Sequence, residues 1–67
     1  MMQVIVNGTP RAVEAPVTLA ELVRVLGLEG KRIAIERNGE IVPKSRYAAT
    51  RVDADDRLEI VGAVGGG

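Results

Sequence analysis

The sequence predicts an α+β fold in which a mixed sheet of about five strands packs against one main helix. Two Asn-Gly pairs, Asn7-Gly8 and Asn38-Gly39, each separate segments rich in strand-forming residues. Such pairs are typical of tight turns between antiparallel strands. Between the two hairpins, apolar residues recur at helical spacing, and a further strand-like segment follows the second hairpin.

Four strands are assigned to the two hairpins. The first hairpin joins Met2–Val6 to Thr9–Val13, and the second joins Ile33–Arg37 to Glu40–Val42. Pro10 cannot donate a backbone hydrogen bond, so this residue is expected at the start of a strand or on an edge strand of the sheet. Each hairpin turns a β-rich segment back on itself, which predicts two antiparallel pairs.

The segment after the 15–17 linker predicts the helix. Thr18 and Glu21 have the spacing of a capping box, and Gly27 stands where a left-handed C-terminal cap is expected. A helix of two to three turns is too short to be stable alone in water, so it must lie on the sheet. Its predicted core face consists of Leu19, Leu22, Val23 and Leu26.

The remaining segments complete the sheet. Residues 44–50 are interpreted as a connection with one helical turn, in which Tyr47 is a buried anchor. The final strand is predicted over 57–61, where Leu58 and Ile60 alternate with charged residues. The acidic residues at 53–56 lack the glycine and glutamate of an EF-hand, so a solvated turn is favoured over a cation site.

Composition excludes several functions. With 67 residues the chain forms one small domain, and it contains neither cysteine nor histidine. The commonest metal ligands and catalytic nucleophile–base pairs are therefore missing, which argues against an autonomous enzyme. Nine basic and nine acidic residues with one aromatic residue disfavour nucleic-acid binding. No membrane span or secretory signal is recognised, so we expect a cytoplasmic monomer.

The most distinctive segment is the last one. Four of the eight glycines fall within residues 62–67, so we divide the chain into a domain at 1–61 and a flexible tail. The tail can reach roughly 20 Å at ~3.3 to 3.6 Å per residue, far enough to enter a partner's channel. A frayed terminus is the alternative interpretation. The predicted channel residues are Gly62, Ala63, Val64, Gly65 and Gly66, and Gly67 carries the reacting carboxylate.

The whole chain resembles the ThiS family of sulfur carrier proteins, which has the ubiquitin-like β-grasp fold. The central segment and the glycine end are specific in combination. The matching features are the helix start Thr18-Leu19-x-Glu21-Leu22, IERNGEIVP at 35–43, Arg46-Tyr47, DDRLEIV at 55–61 and the terminal Val64-Gly65-Gly66-Gly67.

The resemblance implies a protein co-substrate instead of an enzyme. A ThiF-like adenylyltransferase, using ATP and magnesium, would convert the Gly67 carboxylate to an acyl adenylate. Sulfur from cysteine, supplied through a cysteine desulfurase, would replace AMP and leave a thiocarboxylate. A ThiG-like thiazole synthase would then take the sulfur for the thiazole of thiamine. The chain itself would bind no cofactor or metal, and the family requires only the terminal pair Gly66-Gly67.

Other functions share parts of this pattern. The small subunit of molybdopterin synthase uses the same terminal chemistry, but that family is richer in phenylalanine, which is absent here. A carrier for another sulfur metabolite or a ubiquitin-like modifier would have a similar tail. A noncovalent interaction module would use the sheet for docking and leave the glycines without a role.

Overall fold

The computed structural model describes residues 1–62. In this range the main sheet has five strands, and their order across the sheet is Thr9–Val13, Met2–Val6, Arg57–Gly62, Ile33–Arg37 and Glu40–Val42. The strands Met2–Val6 and Arg57–Gly62 are parallel, and the other neighbours are antiparallel. The predicted mixed sheet is confirmed. The elements are β1 (Met2–Val6), β2 (Thr9–Val13), β3 (Val17–Thr18), α1 (Leu19–Val25), β4 (Ile33–Arg37), β5 (Glu40–Val42), a 3-10 helix (Lys44–Ala49), β6 (Arg51–Val52) and β7 (Arg57–Gly62).

Both Asn-Gly pairs form the predicted hairpin turns. Asn7 and Gly8 have φ of 50° and 83°, and Asn38 and Gly39 have φ of 52° and 88°. Two successive residues in the left-handed region are the requirement of a type I′ turn, which asparagine and glycine meet at low cost. The chain therefore reverses within two residues at each turn, and strand pairing starts immediately on either side.

Helix α1 begins and ends as its sequence predicts. The amide of Glu21 donates to the Thr18 hydroxyl at 3.2 Å, and the amide of Thr18 donates to the Glu21 carboxylate at 2.9 Å. The hydrogen bonds that the Thr18 amide and the Thr18 hydroxyl donate to the Glu21 carboxylate lower the pKa of Glu21. At the other end, Gly27 is left-handed and the amide of Leu28 donates to the carbonyl of Val23 at 2.9 Å. The helix thus ends in a Schellman motif.

The core lies between α1 and the inner face of the sheet. Leu19 and Leu22 have no exposed surface, Val23 is buried and Leu26 is half-buried, so the predicted helix face is the packed face. Tyr47 is 7% exposed, which confirms it as a buried anchor, and this burial raises the pKa of its hydroxyl. The sheet contributes the buried residues Val4, Val13, Ile35, Leu58 and Ile60.

A second, two-stranded sheet was not predicted. Val17 was assigned to a linker, but it pairs with Val52 in an antiparallel match of β3 and β6. Both valines are buried. Strands of two residues have no repeating pattern in the sequence, and this pairing joins segments far apart in the chain, so only the folded structure reveals it. In the described range, no helix is long and apolar enough to cross a membrane.

The acidic turn differs from its prediction at one residue. Asp53 and Asp55 are exposed, as expected of a solvated turn, but Asp56 is only 6% exposed. Its carboxylate accepts a hydrogen bond from Arg37 at 2.7 Å. A buried carboxylate is tolerated when it is paired and hydrogen-bonded, which the sequence did not indicate. Among residues 1–62, no group of acidic side chains is arranged to hold a metal ion.

Candidate functional site

The predicted site is the C-terminal segment, and the structure describes where it leaves the sheet. Gly62 is the last residue of β7 and pairs with Ile33 at the beginning of β4. The final strand therefore runs one residue beyond the predicted 57–61, and Gly62 belongs to the sheet instead of the tail. The other predicted site residues lie outside the described range: Ala63, Val64, Gly65, Gly66 and Gly67.

Packing in the described domain does not demand glycine at position 62. A Cβ added to Gly62 would have no heavy atom within 4 Å, and the backbone there is not left-handed. By contrast, Gly8 and Gly39 have the positive φ that their turns require. The absence of a side chain at Gly62 is therefore not explained by the fold that the strand belongs to.

Asn7 holds the end of β7 on the side away from β4. Strand β1 pairs with β7 only as far as Val6 and Leu58, and then turns away. From the turn, the Asn7 side chain donates to the carbonyl of Ile60 at 2.9 Å and accepts from the Ile60 amide at 2.7 Å. The carboxamide thus replaces a missing strand residue. It fixes the position of the backbone two residues before Gly62.

Asn38 makes the corresponding contact at the beginning of β7. Its side-chain oxygen accepts from the amide of Arg57 at 2.9 Å, and its backbone amide donates to the Arg57 carbonyl at 2.8 Å. Its side-chain nitrogen donates to Asp56 at 3.0 Å. The two Asn-Gly turns therefore hold the same strand at opposite ends and from opposite neighbours.

A network of charged and polar groups surrounds Asp56, the residue just before β7 begins. Its carboxylate accepts from the Asp53 amide at 2.8 Å as well as from Arg37 and Asn38. Burial alone would raise the pKa of Asp56, but these hydrogen bonds and the Arg37 charge outweigh burial and lower it. The hydrogen bond to Asp56 is also the main reason that the pKa of Arg37 is raised. Arg37 further contacts the exposed Asp53 at 2.9 Å.

The sequence had identified both asparagines only as turn residues. Type I′ turns accept Asn, Asp or Gly at the first position, so the turn alone does not require a carboxamide. Of these three residues, however, only Asn carries both a donor and an acceptor in its side chain at neutral pH, and both are used at positions 7 and 38. The choice of Asn at positions 7 and 38 was the available signal, but it becomes interpretable only when the last strand is placed between β1 and β4.

Comparison with known proteins assigns this architecture to a family. A model of the ThiS family matches residues 4–67. The chain belongs to the ThiS family. The ThiS resemblance inferred from the sequence is confirmed. A crystal structure of a ThiS thiamine biosynthesis protein from Geobacter metallireducens superimposes with a TM-score of 0.85 at 30% identity, covering 98% of this chain and 100% of that one. This likeness confirms the ubiquitin-like β-grasp fold.

Two relatives differ in how much of their own length this chain covers. Over 50 residues, the chain is 42% identical to the sulfur carrier protein ThiS of Bacillus subtilis, covering 75% of this chain and 76% of that protein. Over 66 residues, it is 46% identical to a thiazole synthase of Paramagnetospirillum magneticum, covering 98% of this chain but 20% of that protein. The chain thus spans about a fifth of the length of that thiazole synthase.

Proposed function

We propose that this ThiS-family chain is a sulfur carrier of thiamine biosynthesis and that the carboxylate of Gly67 carries the sulfur. The observation that carries the proposal is a family match that continues through Gly67. The similarity to the Bacillus subtilis sulfur carrier and to the Geobacter metallireducens thiamine biosynthesis protein supports the same function.

The proposed chemistry begins with activation of the tail. A free α-carboxylate has a reference pKa of ~3.3 to 3.7, so it is anionic at neutral pH and a poor electrophile. In the proposed reaction, a ThiF-like adenylyltransferase joins a Gly67 carboxylate oxygen to the α-phosphorus of ATP and releases pyrophosphate. The outer sulfur of a persulfide, drawn from cysteine on a cysteine desulfurase, then displaces AMP to give an acyl disulfide. A second thiol, such as free cysteine, exchanges with this disulfide, so that the thiocarboxylate is released and the two other sulfurs become a disulfide. ATP and magnesium are bound by the partner, and this chain binds no cofactor.

Thiazole synthase is the proposed acceptor of the sulfur. A thiazole synthase chain contains a region that aligns with 98% of this chain, while most of its length lies outside the match. A carrier-like region and a larger thiazole synthase chain therefore occur in one polypeptide, which supports a working partnership between the two. The molybdopterin carrier and the noncovalent module have no comparable observation in their favour.

The described residues would serve this chemistry by fixing the origin of the tail. Strand β4 pairs with Gly62 on one side, and Asn7 holds Ile60 on the other. Fixing the origin reduces the volume that Gly67 must search before it meets the partner's reacting atoms, because an oriented reactant has less freedom to lose. The open space around a Cβ at position 62 also leaves room for a partner to approach closely.

The decisive experiment is intact-protein mass spectrometry of this 67-residue chain. The chain is incubated with ATP, magnesium, a cognate adenylyltransferase, a cysteine desulfurase and cysteine. We expect a mass increase equal to one oxygen-to-sulfur exchange, located on a fragment that contains Gly67. No exchange, with the adenylyltransferase active on its own carrier, would contradict the proposal and favour a noncovalent module.

Two matched variants test the residue assignment. Gly67→Ala adds a Cβ beside the reacting carbonyl, and we expect at least about a tenfold lower rate of thiocarboxylate formation, because small misplacements of reacting atoms are costly. Gly62→Ala adds the same group where the domain has open space, so this variant should unfold at the temperature of the unmodified chain. An unchanged rate for Gly67→Ala would contradict the assignment.

A further inference from the structure

A groove opens beside the residue from which the tail departs. It has a volume of about 380 Å³, and Gly62 is part of its wall together with Ile60 and Val61 of β7. Leu26 and Leu28, at the start of the segment that follows α1, also line it. The lining also includes three basic residues, all exposed: Arg11, Lys31 and Arg32.

The charge of this groove differs from that of the whole chain. The chain has nine basic and nine acidic residues, yet no acidic side chain among residues 1–62 lines the groove. Within residues 1–62, the ion pairs join Arg24 to Glu29 and Arg37 to two aspartates, so none of them neutralises the groove. The end of β7 therefore presents uncompensated positive charge, while its beginning is surrounded by aspartates.

The length of the tail limits how far an acting enzyme can stand from this groove. Residues 63–67 can extend at most about 18 Å at ~3.6 Å per residue. An enzyme whose active site encloses Gly67 must therefore bring its reacting atoms within about 18 Å of Gly62. This step rests on the proposed function. Arg11, Lys31 and Arg32 line the groove at Gly62, so they are basic side chains available beside the point where the tail leaves the sheet.

We propose that the groove at Gly62 is a docking site for an acidic rim around the tail channel of the adenylating enzyme. Charges at the rim of an interface mainly accelerate and orient association instead of taking part in chemistry. Arg11, Lys31 and Arg32 line the groove at Gly62, where the tail leaves β7. In this position they can align the tail with the enzyme's channel before Gly67 enters it. The apolar walls then provide a surface that association removes from water.

The test compares charge reversals inside and outside the groove. Adenylation is followed by exchange of labelled pyrophosphate into ATP as a function of carrier concentration. The test variants are Arg11→Glu and the double variant Lys31→Glu/Arg32→Glu. The control is Arg51→Glu, a charge reversal at an exposed residue of β6 that does not line this groove. The neutral double variant Lys31→Gln/Arg32→Gln serves as a second test with a milder change.

We expect the double reversal to raise KM at least about tenfold with kcat changed less than about twofold, because encounter and not chemistry is affected. Neutralisation should give an intermediate KM, and Arg51→Glu should leave KM unchanged. Raised salt should increase KM more for the unmodified chain than for the double reversal. Circular dichroism melts establish that each variant is folded.

The outcomes separate this inference from the proposed function. If the unmodified chain is adenylated and groove reversals resemble Arg51→Glu, the docking site is refuted while the carrier function stands. A lower kcat with unchanged KM also refutes docking, because it places the basic residues in the chemical step. Failure of the unmodified chain to be adenylated, with an enzyme active on its own carrier, refutes the carrier function and the docking site together.

Discussion

Just before β7 begins, Asp56 binds a charged partner as well as the carboxamide of Asn38, whereas on its β1 side the end of β7 is held by the neutral carboxamide of Asn7. Asp56 accepts from Arg37, Asn38 and the Asp53 amide, and of these residues Asp56 itself is buried and Arg37 half-buried. At the other end, Asn7 exchanges two hydrogen bonds with Ile60. Hydrogen bonds with an ionised partner are roughly twice as strong as neutral ones. The end that bears the tail is therefore the more weakly held of the two.

This difference suits a strand that is anchored in the sheet at one end and meets a partner at the other. A strong anchor far from the tail keeps β7 in the sheet while the other end engages a partner. Charged side chains that hold the strand at its end would already be paired and unavailable for docking. The neutral Asn7 leaves Arg11, Lys31 and Arg32 outside the described ion pairs. The following variants test how unequal the two ends are.

The largest effect is expected from Asp56→Ala. Removing this carboxylate leaves the Arg37 guanidinium, the Asn38 side chain and the Asp53 amide without their acceptor. We expect a loss of about 3 kcal/mol in the free energy of unfolding, measured by urea denaturation followed by circular dichroism. Asp53→Ala is the matched control. It removes one exposed ion pair, for which a loss below about 1 kcal/mol is expected.

The same network predicts how stability depends on pH. Because the pKa of Asp56 is lowered in the folded protein, its contribution is present above the ordinary pKa of ~3.9 and is lost as pH falls through the folded value. In Asp56→Asn the acid-side loss should be smaller than in the unmodified chain. Glu21 has a shift of the same direction but is retained in both proteins. Parallel acid-side curves, or equal destabilisation by the two alanine variants, would contradict the anchor.

A smaller effect is expected from replacing either asparagine with glycine. Asn7→Gly and Asn38→Gly both keep the left-handed turn without strain and remove two side-chain hydrogen bonds. We expect losses of about 1 kcal/mol for Asn7→Gly and about 2 kcal/mol for Asn38→Gly, because one of the bonds lost at position 38 goes to a carboxylate. Added freedom in the unfolded chain is similar in both and cancels in the comparison.

Hydrogen exchange distinguishes the two glycine variants further. Asn7→Gly should increase exchange of the Ile60 amide, whose acceptor is the Asn7 side chain, more than global unfolding requires. Asn38→Gly should instead increase exchange of the Arg57 amide. If both variants lose protection evenly along β7, the strand responds as one unit and its two ends are not held independently.

The sequence determined the fold where local chemistry is sufficient. The Asn-Gly turns, the Thr18–Glu21 capping box and the Gly27 cap each involve residues only a few positions apart, and all are found as predicted. The buried face of α1 followed from helical spacing for the same reason. Such features depend on neighbours in the chain, which a single sequence displays directly.

Features that join distant segments could not be predicted in this way. The β3–β6 pair joins Val17 to Val52, and Asn7 reaches Ile60 across 53 positions of sequence. The buried Asp56 carboxylate is paired with Arg37, which belongs to the second hairpin. For the candidate site, the sequence supplied Gly67 and its chemistry as an expectation that still awaits a test. The basic groove is visible only after folding brings Arg11 beside residues 31 and 32.

The smallest change in the free energy of unfolding is expected in the middle of β7, away from the contacts at either end of the strand. Glu59 there lies directly opposite Glu36 of β4, and both side chains are exposed. Like charges directly opposite each other destabilise a sheet, and threonine favours strands, so Glu36→Thr should raise the free energy of unfolding by about 0.5 kcal/mol.

A double-mutant cycle isolates the contribution of repulsion between these two carboxylates. Glu59→Thr should give a similar increase, and the double variant should gain less than the sum, because either substitution alone already removes the repulsion. Strict additivity would mean that strand propensity accounts for the gain. The residual coupling, measured at low and raised salt, then shows how much repulsion β7 tolerates between its charged beginning and its basic end.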